Sequence, residues 1–209
     1  MKSSHSTCSE LLNMPEVTAL LEGLFDLFNT SYYEGRLPKP VITVQSTPRA
    51  YGHCSTKQIW SAADAEPRYE INLGAESLNR PLKATAATLQ HEMVHLFCLE
   101  HHIEDTCQKG RYHNKRFKIE AERRDLILEY STANGYSHTT PGEGLIARLT
   151  ENGFDVDRTF FVRNTPQAIR AKRPQKKIYK YTYPVCGVTV KSDVPVNIKC
   201  SDCDQIMEL

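Results

Sequence analysis

The sequence predicts an α+β protein, and three observations carry that prediction. An amphipathic run near the start and a long helix-forming run at 81–100 enclose short β-forming stretches that bunch together without regular βαβ alternation. The second helical run contains His91-Glu92-Met93-Val94-His95, the spacing of a metal grip built on one helix. A basic stretch at 169–180 then separates the main body from a small module with its own cysteine pattern. The predicted parts are a flexible 1–14, a main domain at 15–165, a basic linker at 166–178 and a β module at 179–209.

Chain length of 209 residues suits one ordinary domain with an appendage. A charged fraction of 24% is that of a globular chain, and a net charge of +1 leaves nucleic-acid binding to a local patch. The N-terminal residues lack the apolar centre of a signal peptide, and no apolar run is long enough to span a bilayer. Cys8, Cys54, Cys98, Cys107, Cys186, Cys200 and Cys203 make an odd set clustered late in the chain. That pattern points to thiols and metal ligands rather than a disulfide framework, so the expected location is cytoplasmic, with no membrane partner.

Taken in order, Pro15 sits where a helix can begin, and Val17, Leu20, Leu21, Leu24, Phe25, Leu27 and Phe28 follow at helical spacing until Gly35 stops the run. Pro38 and Pro40 introduce Val41-Ile42-Thr43-Val44, a β-branched strand. Tyr51-Gly52-His53-Cys54 and Gln58-Ile59-Trp60 read as two more short strands or a hairpin, and Glu70-Ile71-Asn72-Leu73 alternates as a half-buried strand. Residues 93–99 are apolar except for His95, which predicts burial of the motif helix. After a polar segment at 104–112, Phe117, Ala121, Arg124 and Leu128 recur at helical spacing from His113, ending at Asn134-Gly135 as a helix stop. A short helix at 143–149 lies between the turn signals Pro141-Gly142 and Asn152-Gly153.

Residues four apart share a helix face, so His91 and His95 can hold one ion. Glu92 lies about 100° round the helix, where it can take a proton from water beside that ion. Catalytic zinc sites take three protein ligands. His101 has the spacing of the HExxHxxGxxH proteases, but Cys98 stands where that motif turns on glycine. Glu120 and Glu122 would complete a His-His-Glu site, although their charged run reads more simply as a solvated face. His113, opening the next helical pattern after a connection, is the favoured candidate among these.

These residues resemble the SprT-like family of HExxH metalloproteins, which includes the Spartan proteases. The likeness covers most of residues 15–150: Phe28-Asn29 before Tyr33, Leu37-Pro38 with Pro40-Val41, Gly52, Trp60 and Glu70-Ile71-Asn72-Leu73. It continues through Ala87-Thr88-Leu89 into the motif and on to His113 and Phe117, where the family has H-G-x-x-F and this chain has Asn114 for the glycine. The resemblance implies a zincin-like fold with a small mixed or antiparallel sheet packed on helices. It also implies zinc on His91, His95 and His113, with Glu92 as general base. Spartan-type members cleave proteins crosslinked to DNA. Bacterial members, which this short chain more closely resembles, are linked only loosely to transcription.

Tyr183-Pro184-Val185-Cys186-Gly187 with Cys200-Ser201-Asp202-Cys203 resembles a zinc ribbon whose first cysteine is replaced by Tyr183. Three thiolates, Cys186, Cys200 and Cys203, remain where a structural zinc wants four ligands. Either zinc binds weakly with water or an outside ligand such as Cys8, Cys107 or His138, or the hairpins persist without zinc, or Tyr183 disrupts the module. A degenerate ribbon with partial or absent metal is the favoured reading. Beside it, Arg170, Lys172, Arg173, Lys176 and Lys177 offer phosphate contacts on DNA. The expected function is therefore a metallopeptidase with one catalytic zinc and a protein or peptide substrate. Its rival is a non-catalytic, zinc-binding protein associated with nucleic acid or transcription. A hydrolase for a non-peptide substrate is a third option.

Overall fold

A computed structural model describes residues 13–47, 50–160, 163, 178–182, 187–199 and 206. The chain divides into two compact units, Met1–Asn164 and Thr165–Leu209. The first is a mixed α+β unit, and everything that positions the histidines lies within it.

Helix α1 (Met14–Tyr33) begins with a capping box: the Asn13 side chain accepts from the Glu16 amide, and Glu16 accepts from the Asn13 amide at 2.8 Å. Its buried stripe is Val17, Leu21, Leu24, Phe25 and Phe28. Glu34 and Gly35, both at positive φ, end it. The Asn29 amide then clamps the backbone of Leu37 through both its N–H and its C=O, which turns the chain into the first sheet.

Strands β1 (Val41–Gln45), β2 (Gly52–Cys54), β3 (Trp60–Ala62), β4 (Ala65–Arg68) and β5 (Glu70–Gly74) follow. The first, second and fifth form a sheet in the order β1-β5-β2, with β1 parallel to β5 and β2 antiparallel to it. Ile42, Ile71 and Leu73 bury their side chains in the core. The expected half-buried strand at Glu70-Ile71-Asn72-Leu73 is corrected: β5 is buried on both faces, and its polar face is satisfied by Thr43 donating to Glu70 and the Gln45 amide donating to Asn72. Strands β3 and β4 make an exposed hairpin; β4, with a proline and two charged residues, carries no β signal in the sequence.

Helix α2 (Leu82–Glu100) is the centre of the unit, packed by α1, α3, α4 and both main sheets. Its start has no side-chain cap. The Leu82 and Lys83 amides donate instead to the carbonyls of Arg158 and Val156, so a distant segment does the capping.

The sequence prediction of one helix from His113 to Asn134 is corrected here. Only α3 (Lys115–Glu122) is helical; β8 (Leu126–Ser131) and β9 (Gly135–Pro141) then form a hairpin. Asp125 takes a left-handed conformation (φ 59°), its carbonyl accepts from the Gly142 amide, and its carboxylate accepts from the Tyr32 hydroxyl. Those bonds break the helix where its apolar spacing would have carried it on. With β6 (Thr106–Cys107) and β7 (Tyr112–His113), these strands make a second sheet in the order β6-β7-β9-β8. Helix α4 (Glu143–Glu151) closes the unit.

In the second unit, β10 (Tyr179–Thr182) and β11 (Thr189–Ser192) pair antiparallel, and the Val196 amide donates to the Tyr181 hydroxyl. Arg170, Lys172, Arg173, Lys176 and Lys177 lie outside the described residues, as do Cys8, Tyr183, Cys186, Cys200 and Cys203. Among the described residues no helix is long and apolar enough to cross a membrane.

Candidate metal centre

Helix α2 places His91 and His95 one turn apart, and strand β7 brings His113 over them. The three Nε2 atoms form a triangle: His91 to His95 is 3.2 Å, His91 to His113 is 3.2 Å, and His95 to His113 is 3.0 Å. A tetrahedral zinc with bonds of 2.0–2.1 Å would space its ligands about 3.3–3.4 Å apart. Three imidazole lone pairs converging this closely repel one another, and a cation removes that repulsion. The residues present therefore fit a metal ion, and among the described residues they form the one cluster that could hold it. Phe117, wholly buried, lies with its ring centroid 4.6–4.7 Å from all three imidazoles and limits their rotation.

The outer nitrogens are held unequally. His95 Nδ1 lies 2.5 Å from Asp105 Oδ2, His91 Nδ1 lies 3.2 Å from Thr139 Oγ1, and His113 Nδ1 has no hydrogen-bond partner. Burial holds His91 well below the ordinary imidazole range, helped by His95 and His113. Burial, with His95 beside it, brings His113 down to about 4; the Arg111 and Asn134 carbonyls favour its charge without reaching hydrogen-bonding geometry on Nδ1. Burial also opposes charge on His95, but the Asp105 hydrogen bond and the Glu92 and Asp105 charges outweigh it and raise His95. Two of the three rings are thus kept neutral, the state in which imidazole ligates.

Glu92, 5% exposed, lies against β2 and shares the cleft with the three histidines. A Cβ on Gly52 would sit 2.8 Å from the Asn72 carbonyl and 3.2 Å from Glu92 Oε1, so only glycine lets the carboxylate lie against this strand. Burial pushes Glu92 up to about 7, against the opposing pull of His95 and the Cys54 amide. Protein groups alone therefore poise it to gain or lose a proton near neutrality. A cation at the triangle acts in the opposite direction. All four side chains open on a cleft of about 700 Å³, with Tyr51, Arg111, Asn134 and His138 on its walls.

The other candidates lie elsewhere. His101 caps the end of α2, exposed, with its ring stacked on Phe97. Glu120 is buried in a network with Arg123 and Arg124, so the solvated-face reading is wrong for it. Arg124 in turn lies over the Phe97 and Tyr33 rings. Glu122 pairs with Lys118 on the surface. Tyr112 donates to the Tyr130 hydroxyl on the exterior.

Sequence reasoning missed four contributors. Asp105 and Thr139 sit in stretches with no period. Asn114 caps α3 by accepting from the Arg116 and Phe117 amides, which accounts for the chain's use of asparagine there. Gly135 (φ 65°) lies beside His113, where a Cβ would be 2.0 Å from the His113 carbonyl oxygen. Asn-Gly is a strong hairpin signal, and it was the available clue to that turn.

An HExxH helix whose third histidine comes from a later strand defines the zincin-like class of metal-site domains. The model of the SprT-like family matches residues 21–134, and the chain belongs to that family. The matched span holds the three histidines, Glu92 and Asp105 and ends one residue before Gly135. Comparisons with curated proteins and with solved structures give no match.

Proposed function

We propose that the protein is a zinc-dependent peptidase. The observation that carries this reading is the pairing of the histidine triangle with a buried carboxylate poised near neutrality beside it. His91, His95 and His113 would hold the ion. Zinc in that place supplies Lewis acidity, polarising a carbonyl and acidifying water. Glu92 accepts the proton of the water as its oxygen bonds to the carbonyl carbon. It then passes that proton to the amine nitrogen as the C–N bond breaks. Asn134, His138 and Arg111 line the cleft wall as donors for the oxygen that becomes negative.

The substrate we propose is a protein, including one associated with DNA. Membership of the family supports this, as does the run Arg170, Lys172, Arg173, Lys176 and Lys177, which has no acidic residue to neutralise it. A buried Glu92, costly to place there, favours catalysis over the non-catalytic alternative, because holding zinc does not need that carboxylate.

The test compares zinc-loaded wild type with Glu92→Gln on an unfolded protein substrate, with and without DNA. The expected result is equal zinc content, an unchanged fold and cleavage only by the wild type. Cleavage by Glu92→Gln overturns the mechanism. Zinc binding with salt-sensitive DNA binding and no cleavage by the wild type establishes the non-catalytic alternative instead.

A further inference from the structure

We infer that Asp105 is the positioning residue of the metal site: it locks His95 and ties to it the strand that carries His113, so the triangle is assembled before a cation arrives. This rests on the metal reading of the three histidines. The 2.5 Å contact between Asp105 Oδ2 and His95 Nδ1 fixes the ring with Nε2 turned toward the other two imidazoles. Both side chains are largely buried, at 17% and 14% exposure, where a charge-assisted bond is least weakened by water.

Asp105 does not belong to α2. It arrives on the connection after it, and its own carbonyl accepts from the Asn114 amide at 3.0 Å. Asn114 Nδ2 donates to the neighbouring Glu104 carbonyl at 2.7 Å, and Thr106 pairs with His113 across β6 and β7. The bond from Asp105 to His95 therefore ties the arm bearing the third histidine to the metal-facing turn of α2, beside the Ile103 amide bond to the Cys98 carbonyl at the end of the helix. The other supports are weaker: a neutral hydroxyl, Thr139, on His91, and no partner for Nδ1 of His113. The three candidate ligands are graded, and the carboxylate serves the one at the junction.

The test uses the full chain as wild type, Asp105→Asn, Asp105→Ala and Thr139→Ala. Zinc affinity is read by competition with a chromogenic chelator, and the metal-free proteins are read by ¹⁵N spectra of the histidine rings and by amide exchange. Asp105→Ala is expected to weaken zinc binding about 10- to 100-fold. Asp105→Asn, which keeps an acceptor but not the charge, falls between it and wild type, and Thr139→Ala has a smaller effect than Asp105→Ala. At a pH where His95 is neutral, metal-free wild type shows one His95 tautomer, protonated at Nδ1; Asp105→Ala shows a mixture, with faster exchange confined to 105–114.

Equal zinc affinity in wild type and Asp105→Ala overturns the inference, as does a wild-type His95 protonated at Nε2. Wild type that binds no zinc overturns the metal reading itself, while the tautomer and exchange results still decide what Asp105 does.

Discussion

The two main sheets flank the same helix and do different work. Sheet β1-β5-β2 packs Ile71 and Leu73 into the core behind α2, and its edge strand receives Glu92 against Gly52. Sheet β6-β7-β9-β8 contributes little apolar mass and instead delivers His113 and Thr139, with Asp105 arriving just before β6. One wall seats the base and the other seats the candidate ligands. The first is held by burial of branched apolar side chains, the second by backbone conformation and single hydrogen bonds. The site is therefore sensitive to substitutions that alter no apolar contact at all.

The sharpest break between the two walls should come at Gly135. Alanine there meets the His113 carbonyl oxygen at 2.0 Å in a left-handed conformation, and strain with overpacking costs about 3 kcal/mol. Gly135→Ala is expected to lose zinc as well as stability, measured by metal content and urea denaturation. Zinc retained at wild-type affinity would show that β9 does not seat His113.

Gly52→Ala should act on the other wall. Its Cβ presses on the Asn72 carbonyl and on Glu92, at a cost of about 1–3 kcal/mol. Zinc content should remain while any peptidase activity falls, the reverse of the Gly135 outcome. Loss of zinc in both variants would erase the proposed division of labour.

Acid gives a smaller and graded effect. His113 titrates at about 4 and His91 well below its ordinary value, whereas a histidine in the unfolded chain titrates near pH ~6.5. Between those values the unfolded chain binds more protons, so the metal-free protein should lose stability as pH falls through that window. Glu92, raised to about 7 by burial, and His95, raised by Asp105, contribute with the opposite sign and limit the loss. Protons also compete for the same Nε2 atoms, so zinc should leave over the same range. Denaturation midpoints of metal-free Glu92→Gln, which removes the carboxyl offset, that stay level through the window would show that the histidines are not buried as described.

Legibility followed the same division. Val41-Ile42-Thr43-Val44, Glu70-Ile71-Asn72-Leu73 and the stripe of α1 declare themselves by period, because burial of a face is written into every second or every third and fourth residue. Strands β6 and β7 are two residues long and polar, so they carry no period to read. Leu126, Ile127 and Leu128 satisfied a helical spacing and a strand composition together. The choice fell to Asp125, whose left-handed backbone is stabilised by Tyr32 and Gly142 from other parts of the chain. Glu120 was misread for a related reason: its partner Arg124 is local, but the Phe97 and Tyr33 rings that enclose Arg124 are not.

The sequence by itself determined the α+β class, the apolar packing of α1 and β5, and the pair His91 and His95 with Glu92 between them. Each of these depends on neighbours within a few residues, where periodicity is a reliable guide. The resemblance already pointed to His113 as the third member; only the tertiary structure decided that Asp105 and Thr139 stand behind the triangle, and that Gly52 and Gly135 leave room for it. Those relations join residues 10 to 48 positions apart, or depend on an absent side chain. Local preference cannot specify them; the packing of two sheets on one helix does.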